Sequence, residues 1–379
     1  MVRVSLLGLL LLVLAGTSGC YYSHLADGQL RLLWGRRPIE EASVDPALAD
    51  DERRLLGLVD PVRSYARELG LRVGGQYTSY VEWPGDRVVT TVVRTPPGSL
   101  EAQPYRFPLV GALPYKGYFD RDRAEAEAAR QRAADFDVCV TGVSAYSTLG
   151  WIDDPVTGPM LRRGAASLVE TILHELVHAT AFLDDESDFN ESIAQFIGQE
   201  AAIRFFARLA EAETLSNEAD WPSEQRMRDR IDDRRAVARV LMDFREELER
   251  LAPGQDAASV RSQSESRARA RLASLPLRTL RPEEVAQRAR LGNACLSLQG
   301  TYARALPRHA ELLAALGGDL EAFVARLARW SDEGLPAQDF FELAPEAGSA
   351  SGAAPQDGPA PSARERTGLQ RPSSATTPS

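Results

Sequence analysis

Histidine and cysteine are scarce in this 379-residue chain, four of the first and three of the second. Three cysteines are too few for a disulfide framework that replaces a hydrophobic core, so the fold has to rest on apolar packing. Basic charge is short as well. With 44 Lys and Arg against 54 Asp and Glu the formal net charge is −10, which argues against a nucleic-acid partner, since that calls for a basic face. Lys116 is the only lysine, so arginine supplies nearly all of the positive charge. After residue 20 no apolar run is long enough to cross a bilayer as a helix. No internal repeat is present.

The one long apolar run sits at the start. Arg3 precedes Leu6–Ala15 (LLGLLLLVLA), which is too short for a transmembrane helix and ends in Thr17-Ser18-Gly19-Cys20. Small residues before a cysteine there resemble a bacterial lipobox, although Thr17 stands where Leu is usual. The reading is a lipoprotein signal peptide over 1–19 and a lipid on Cys20, with an ordinary secretory signal as the alternative. It implies an extracytoplasmic protein, lipid-anchored to the cell envelope on the periplasmic side. Tyr21 is not the Asp that signals inner-membrane retention in some bacteria, which points to the outer membrane. Cys139 and Cys295 then remain, either paired or as two separate buried thiols. Residues 345–379 turn to Ser, Ala, Pro and Gly, a composition that cannot offset ordering entropy, and a disordered tail is expected.

Two regions are expected between the ends: an N-terminal α/β region over 20–160 and a helical region over 161–344. The first opens with a helical period over 45–71, carried by Leu55, Leu56, Leu58, Val59, Val62, Tyr65, Ala66 and Leu69. GGQYTSYVEW (74–83) and RVVTTVVRT (87–95), joined by Pro84-Gly85-Asp86, read as a β-hairpin. Loop with short extended pieces (107–120), a polar helix with a solvated face (121–135) and a buried strand (136–143) follow. Between about 200 and 290, arginine alternates with Asp and Glu, the pattern of exposed helices with intrahelical ion pairs. The whole reads as an α+β fold, mostly helical.

The chemistry concentrates in TILHELVHATAFLDDESDFNESIAQF (171–196). His174 and His178 are four residues apart, so on a helix both imidazoles aim at one point. Glu175 between them falls beside a metal bound there, where it can take a proton from water. The flanking Leu168, Val169, Ile172, Leu173, Leu176 and Val177 bury the helix, and titratable groups on such a helix need a reason. A lone histidine on an apolar face is more often a core residue than a ligand. For the pentad the balance reverses, since on the order of 0.003 chance occurrences are expected in a chain this poor in histidine. Two imidazoles plus a carboxylate suit zinc and leave a fourth position free.

The third ligand has two candidates. Asp184 lies six residues past His178, where HExxHxxGxxH enzymes place theirs. That layout needs glycine for a sharp break at the position of Ala181, which instead favours continuing the helix. Glu191, in Asn190-Glu191-Ser192-Ile193-Ala194 at the start of a second helix, resembles the NExxA glutamate of thermolysin-like gluzincins and is preferred. The competing role for Glu191 is a capping box that returns to the backbone of Asp188. The spacer to His178 is short for a gluzincin, and Gln195 stands where those enzymes have an acid that orients a ligand histidine.

GCYY, GQLRLL and RPIEE, then FPLVGALPYKGYF, AYSTLGWIDDPV, HELVHATAF and FNESIAQFIG, occur in an order that resembles a bacterial family of predicted aminopeptidases. The resemblance runs from about Cys20 to about Trp330. It implies a zincin-like metallopeptidase with Zn2+ on His174, His178 and Glu191, Glu175 as base, and peptide substrates. The GAMEN motif that holds the free amine in well-known aminopeptidases is absent, so the peptidase half of the description is better supported than the exopeptidase half. A second electrophile is needed for the oxyanion, and Tyr146, Tyr302 and His309 are candidates. The region 137–152 can supply an edge strand for extended substrate. A second class stays open, a non-catalytic envelope lipoprotein whose structural or vestigial metal site binds a partner. Glu175, which a structural site would not need, favours the enzyme.

Overall fold

The computed structural model describes residues 21–107, 111–145, 153–212, 221–250 and 257–342. The elements run α1 (21–34), β1 (Arg36–Pro38), α2 (Ile39–Ala42), α3 (Asp50–Leu56), α4 (Val59–Glu68), β2 (Ser79–Val81) and β3 (Val89–Thr95). β4 (Tyr105–Phe107), β5 (Gly111–Leu113), β6 (Tyr115–Tyr118), α5 (Arg121–Ala133), β7 (Asp137–Val143) and β8 (Val156–Thr157) follow. The rest is helical: α6 (Gly158–Arg162), α7 (Gly164–Thr180), α8 (Ser187–Glu211), α9 (Glu224–Glu249), α10 (Ala257–Ala273), α11 (Pro282–Arg288), α12 (Asn293–Ala303), α13 (Leu306–Ala315) and α14 (Leu320–Asp332). The class is α+β, mostly helical, with small sheets, and the compact unit closes at Phe341.

One large core spans both parts of the chain. Leu55, Leu56, Leu58, Val59, Val62, Tyr65, Ala66 and Leu69 bury the face that their spacing defined, and they join α7, α8, α13 and α14 in a single apolar cluster. Phe196, Phe206 and Phe323 are fully buried there, each contributing on the order of 2–3 kcal/mol by removal from water.

The expected hairpin of 74–83 and 87–95 does not form. β2 pairs with β1 and β8, whereas β3 pairs with β6 on one side and β7 on the other. Gly85 does make the turn, at φ +77°, but the strands it joins enter different sheets. The reason is burial: nearly every β3 residue is buried, so its polar backbone needs a partner strand on both edges. Among the described residues β7 pairs with β3 alone; it is buried only at Cys139 and exposed at Val143, where a buried strand was expected. Cys139 is disulfide-bonded to Cys295 of α12, which ties the sheet to the helical part.

Two charged segments also depart from their sequence reading. α5 is capped by Asp120, whose carboxylate accepts from the backbone of Asp122 and Arg123. Its Glu127 is not solvated: it is buried and accepts from Tyr118 at 2.9 Å, Gln131 at 2.7 Å, Lys116 at 3.3 Å and Arg130. Those partners hold its carboxyl down at about 2 against the opposing cost of burial. On α9, Arg234 and Arg235 bond to other helices rather than along their own.

Candidate metal centre

α7 is largely apolar, and Leu168, Val169, Ile172, Leu173, Leu176 and Val177 are each at most 1 % exposed. A helix this rich in buried apolar residues packs into the centre of a fold, so His174, Glu175 and His178 are carried inside on a rigid element. The helix stops at Thr180. Ala181 is extended, at φ −147° and ψ 134°, so it does not prolong the helix as its propensity suggested. Tertiary bonds override that propensity. The Phe182 N–H donates to Ser331 Oγ at 3.1 Å, and Ser331 returns its proton to the Phe182 carbonyl. Buried Asn190 then closes the turn, accepting from the Leu183 N–H at 3.0 Å and donating to the Leu183 carbonyl at 2.7 Å. Both backbone groups of Leu183 are thereby satisfied, and the residue after Asn190 is aimed back at α7.

That residue is Glu191. Its Oε2 lies 3.4 Å from His174 Nε2 and 3.7 Å from His178 Nε2, and the two imidazole nitrogens are 3.1 Å apart. Tetrahedral ligands at zinc distances of about 2.0–2.2 Å are roughly 3.3 Å from one another, so this triangle fits the ion without rearrangement. Among the described residues no other group of three or more His, Cys, Asp or Glu side chains converges in this way. Asp184 is exposed in the turn and outside the group. No side-chain bond caps the start of α8, so Glu191 does not serve as a capping-box partner of Asp188.

The electrostatics match a cation site. Burial opposes a charged imidazole at His174, but the Glu191 hydrogen bond and the carboxylates of Glu175, Glu191 and Glu170 outweigh it and raise the pKa. At Glu191 burial would raise the carboxyl, yet hydrogen bonds to His174 and His178 hold it far below the carboxylate range. Both shifts say that positive charge between these groups is favoured. His178 Nδ1 is buried with no hydrogen-bond partner among the described residues, so none of them supplies the acceptor that usually orients a ligand histidine.

Tyr302 of α12 comes to this place, its ring 6.4 Å from that of His174. Burial first, then the Glu191, Tyr115 and Glu175 charges, push its hydroxyl well above the ordinary 10. His309 does not come. It is fully buried among Phe189, Phe196, Phe323 and Phe341 and bonded to Ser192 Oγ at 3.1 Å, so it has no access to a substrate. Tyr146 and Cys20 lie outside the described residues. The sequence reading missed Tyr77. It is 1 % exposed, holds a positive φ of 60°, and its hydroxyl feels Glu175 as its first charged neighbour. A buried aromatic at positive φ is strained and has no signature in the sequence.

An α+β, mostly helical chain with two imidazoles and a carboxylate converging beside a further glutamate belongs in the class of proteins that can hold a divalent metal. The chain is a member of the family described as "Putative aminopeptidase", which it matches over residues 20–339. Neither the curated proteins nor the solved structures contain a significant match to it.

Proposed function

We propose that this protein is a zinc-dependent aminopeptidase of zincin-like build, anchored to the cell envelope by a lipid on Cys20. Membership of the aminopeptidase family supports peptide substrates. The observation that carries the zinc reading is the triangle of His174, His178 and Glu191 with Glu175 beside it. A zinc ion held there supplies a Lewis acid for the scissile carbonyl and acidifies water. Glu175 accepts the proton of the attacking water and passes it to the leaving amine. Tyr302, a neutral phenol at neutral pH whose anion burial and the neighbouring carboxylates further disfavour, can donate to the developing oxyanion. The Cys139–Cys295 disulfide supports an oxidising compartment, in keeping with export.

The test compares metal content with cleavage. Purified protein should carry one zinc per chain and release the first residue of peptides with a free amine while leaving N-acetylated ones intact. Glu175→Gln should keep the zinc and lose about 10²–10⁴ in rate. Stoichiometric zinc with no cleavage of any peptide in a broad library would sink the enzymatic reading. Equal cleavage of acetylated peptides would make it an endopeptidase. Cys20→Ser should move the protein from the membrane fraction to the soluble one; no change in distribution would remove the anchor.

A further inference from the structure

Glu191 and the histidines sit on different helices, so something must set the distance between them. α7 and α8 run antiparallel, with Glu191 opposite His174 and His178, and Gly198 opposite Glu170 and His174. At Gly198 a Cβ atom would lie 3.1 Å from the Glu170 carbonyl oxygen, 3.2 Å from His174 N and 3.3 Å from His174 Cα. All three are backbone atoms, which cannot swing aside as a side chain can. The helices therefore touch main chain to main chain at a metal ligand. Gly198 follows Glu191 by seven residues, two helical turns, which puts both on one face of α8. Ala194 between them is 0 % exposed and has only a methyl side chain.

A second feature holds the contact. α9 bonds to both helices near this level. Arg234 donates to Glu170 at 2.6 Å, one turn before His174, and Arg230 donates to Ser167 at 2.8 Å. Arg235 donates to Gln199 at 2.7 Å and Glu200 at 3.0 Å, the two residues after Gly198. A single helix thus pins both walls of the site.

Resting on the zinc reading above, we propose that Gly198 is a positioning residue that sets the ligand spacing. Its main-chain contact fixes how far Glu191 stands from His174 and His178, and Arg234 and Arg235 lock the two helices at that separation. A methyl group at 198 has to move α7 from α8 by a few tenths of an ångström, whereas metal–ligand distances tolerate only about 0.2 Å. Glu191 then reaches the ion from too far.

The experiment measures zinc affinity by competition with a chromophoric chelator, the visible absorption of the cobalt(II)-loaded protein, and thermal unfolding of the metal-free protein. Gly198→Ala should lose about 10- to 100-fold in zinc affinity, the scale of an outer-shell defect, and change the cobalt spectrum. Metal-free melting should move little, because alanine is the better helix former. Arg235→Met should show the same change in smaller degree, and Arg267→Met on remote α10 none. If wild-type protein binds neither zinc nor cobalt, the zinc reading falls. If wild type binds and Gly198→Ala binds equally with an unchanged spectrum, the positioning role is overturned. Should Gly198→Ala fail to fold, Arg235→Met decides: wild-type affinity and spectrum there overturn the proposal. An equal loss in Arg267→Met would mark the effect as general destabilisation and overturn it too.

Discussion

His174 and His309 are both taken out of water, yet their surroundings drive them in opposite directions. His174 faces carboxylates, and its pKa is raised in spite of burial. His309 faces aromatic rings, and burial, with Arg308 adding, brings its pKa down to about 3. The His309 Nε2 is hydrogen-bonded to Ser192 Oγ at 3.1 Å, and that hydroxyl also lies 3.1 Å from the Phe189 carbonyl. The His309 Nδ1 is left without a partner among the described residues. One buried imidazole is placed to meet positive charge and the other is an uncharged piece of the core. Burial alone does not make a histidine functional; the charges that accompany it decide.

Changes on the His174 side should cost chemistry or metal and leave the fold standing. After Glu175→Gln, the next largest effect is expected from Tyr302→Phe, about 10²–10³ in kcat with zinc unchanged, as for removal of one oxyanion donor. Steady-state kinetics beside metal analysis checks it, and an unchanged kcat would take Tyr302 out of the reaction. Glu191→Ala should weaken zinc by more than about 100-fold, beyond what outer-shell changes produce, while Asp184→Ala does nothing. Chelator competition on both variants reads this, and the reverse order would move the site to the other layout.

The His309 side should show in stability against pH. Its folded pKa, about 3, lies below the unfolded 6.5, so between these values the unfolded chain binds the extra proton. Stability from this residue is present above about 6.5 and lost as pH falls towards 3, at about 1.4 kcal/mol per pH unit. His309→Phe should flatten that acid limb in denaturant titrations and leave zinc affinity as it was. A limb of the same slope in the variant would assign the acid sensitivity to other groups. Glu127 is one, since its lowered pKa of about 2 loses stability below roughly 4.5. The smallest effect is expected from Arg228→Ala on α9, whose i,i+4 pair with Glu224 is exposed at both ends. Such pairs are worth a few tenths of a kcal/mol, and a shift in the unfolding midpoint measures it.

Local periodicity carried much of this structure into view. The α3–α4 core residues, the buried α7 and the pairing of His174 with His178 follow from spacing alone, because side-chain direction repeats with the helix. Glu191 was legible by its asparagine, although for a reason the pattern does not state: Asn190 holds both backbone groups of Leu183 and thereby turns α8 towards α7. Elsewhere local signals misled. Ala181 favours helix but ends one, since Ser331, far along the chain, binds the next residue. Strands that look like a hairpin part into two sheets because β3 needs partners on both edges. The Arg-rich run on α9 reads as solvated, yet Arg234 and Arg235 bridge α7 and α8.

By itself the sequence determined which residues can bind a metal and which helix carries two of them, since these depend on residue type and on a repeat of 3.6. Only the tertiary structure decided that Glu191 rather than Asp184 meets the histidines, that Tyr302 joins them and His309 does not, and that Cys139 pairs with Cys295. Each of these is a distance between segments remote in the chain, set by where helices touch. At Gly198 that contact is one hydrogen atom wide where any other residue would place a carbon.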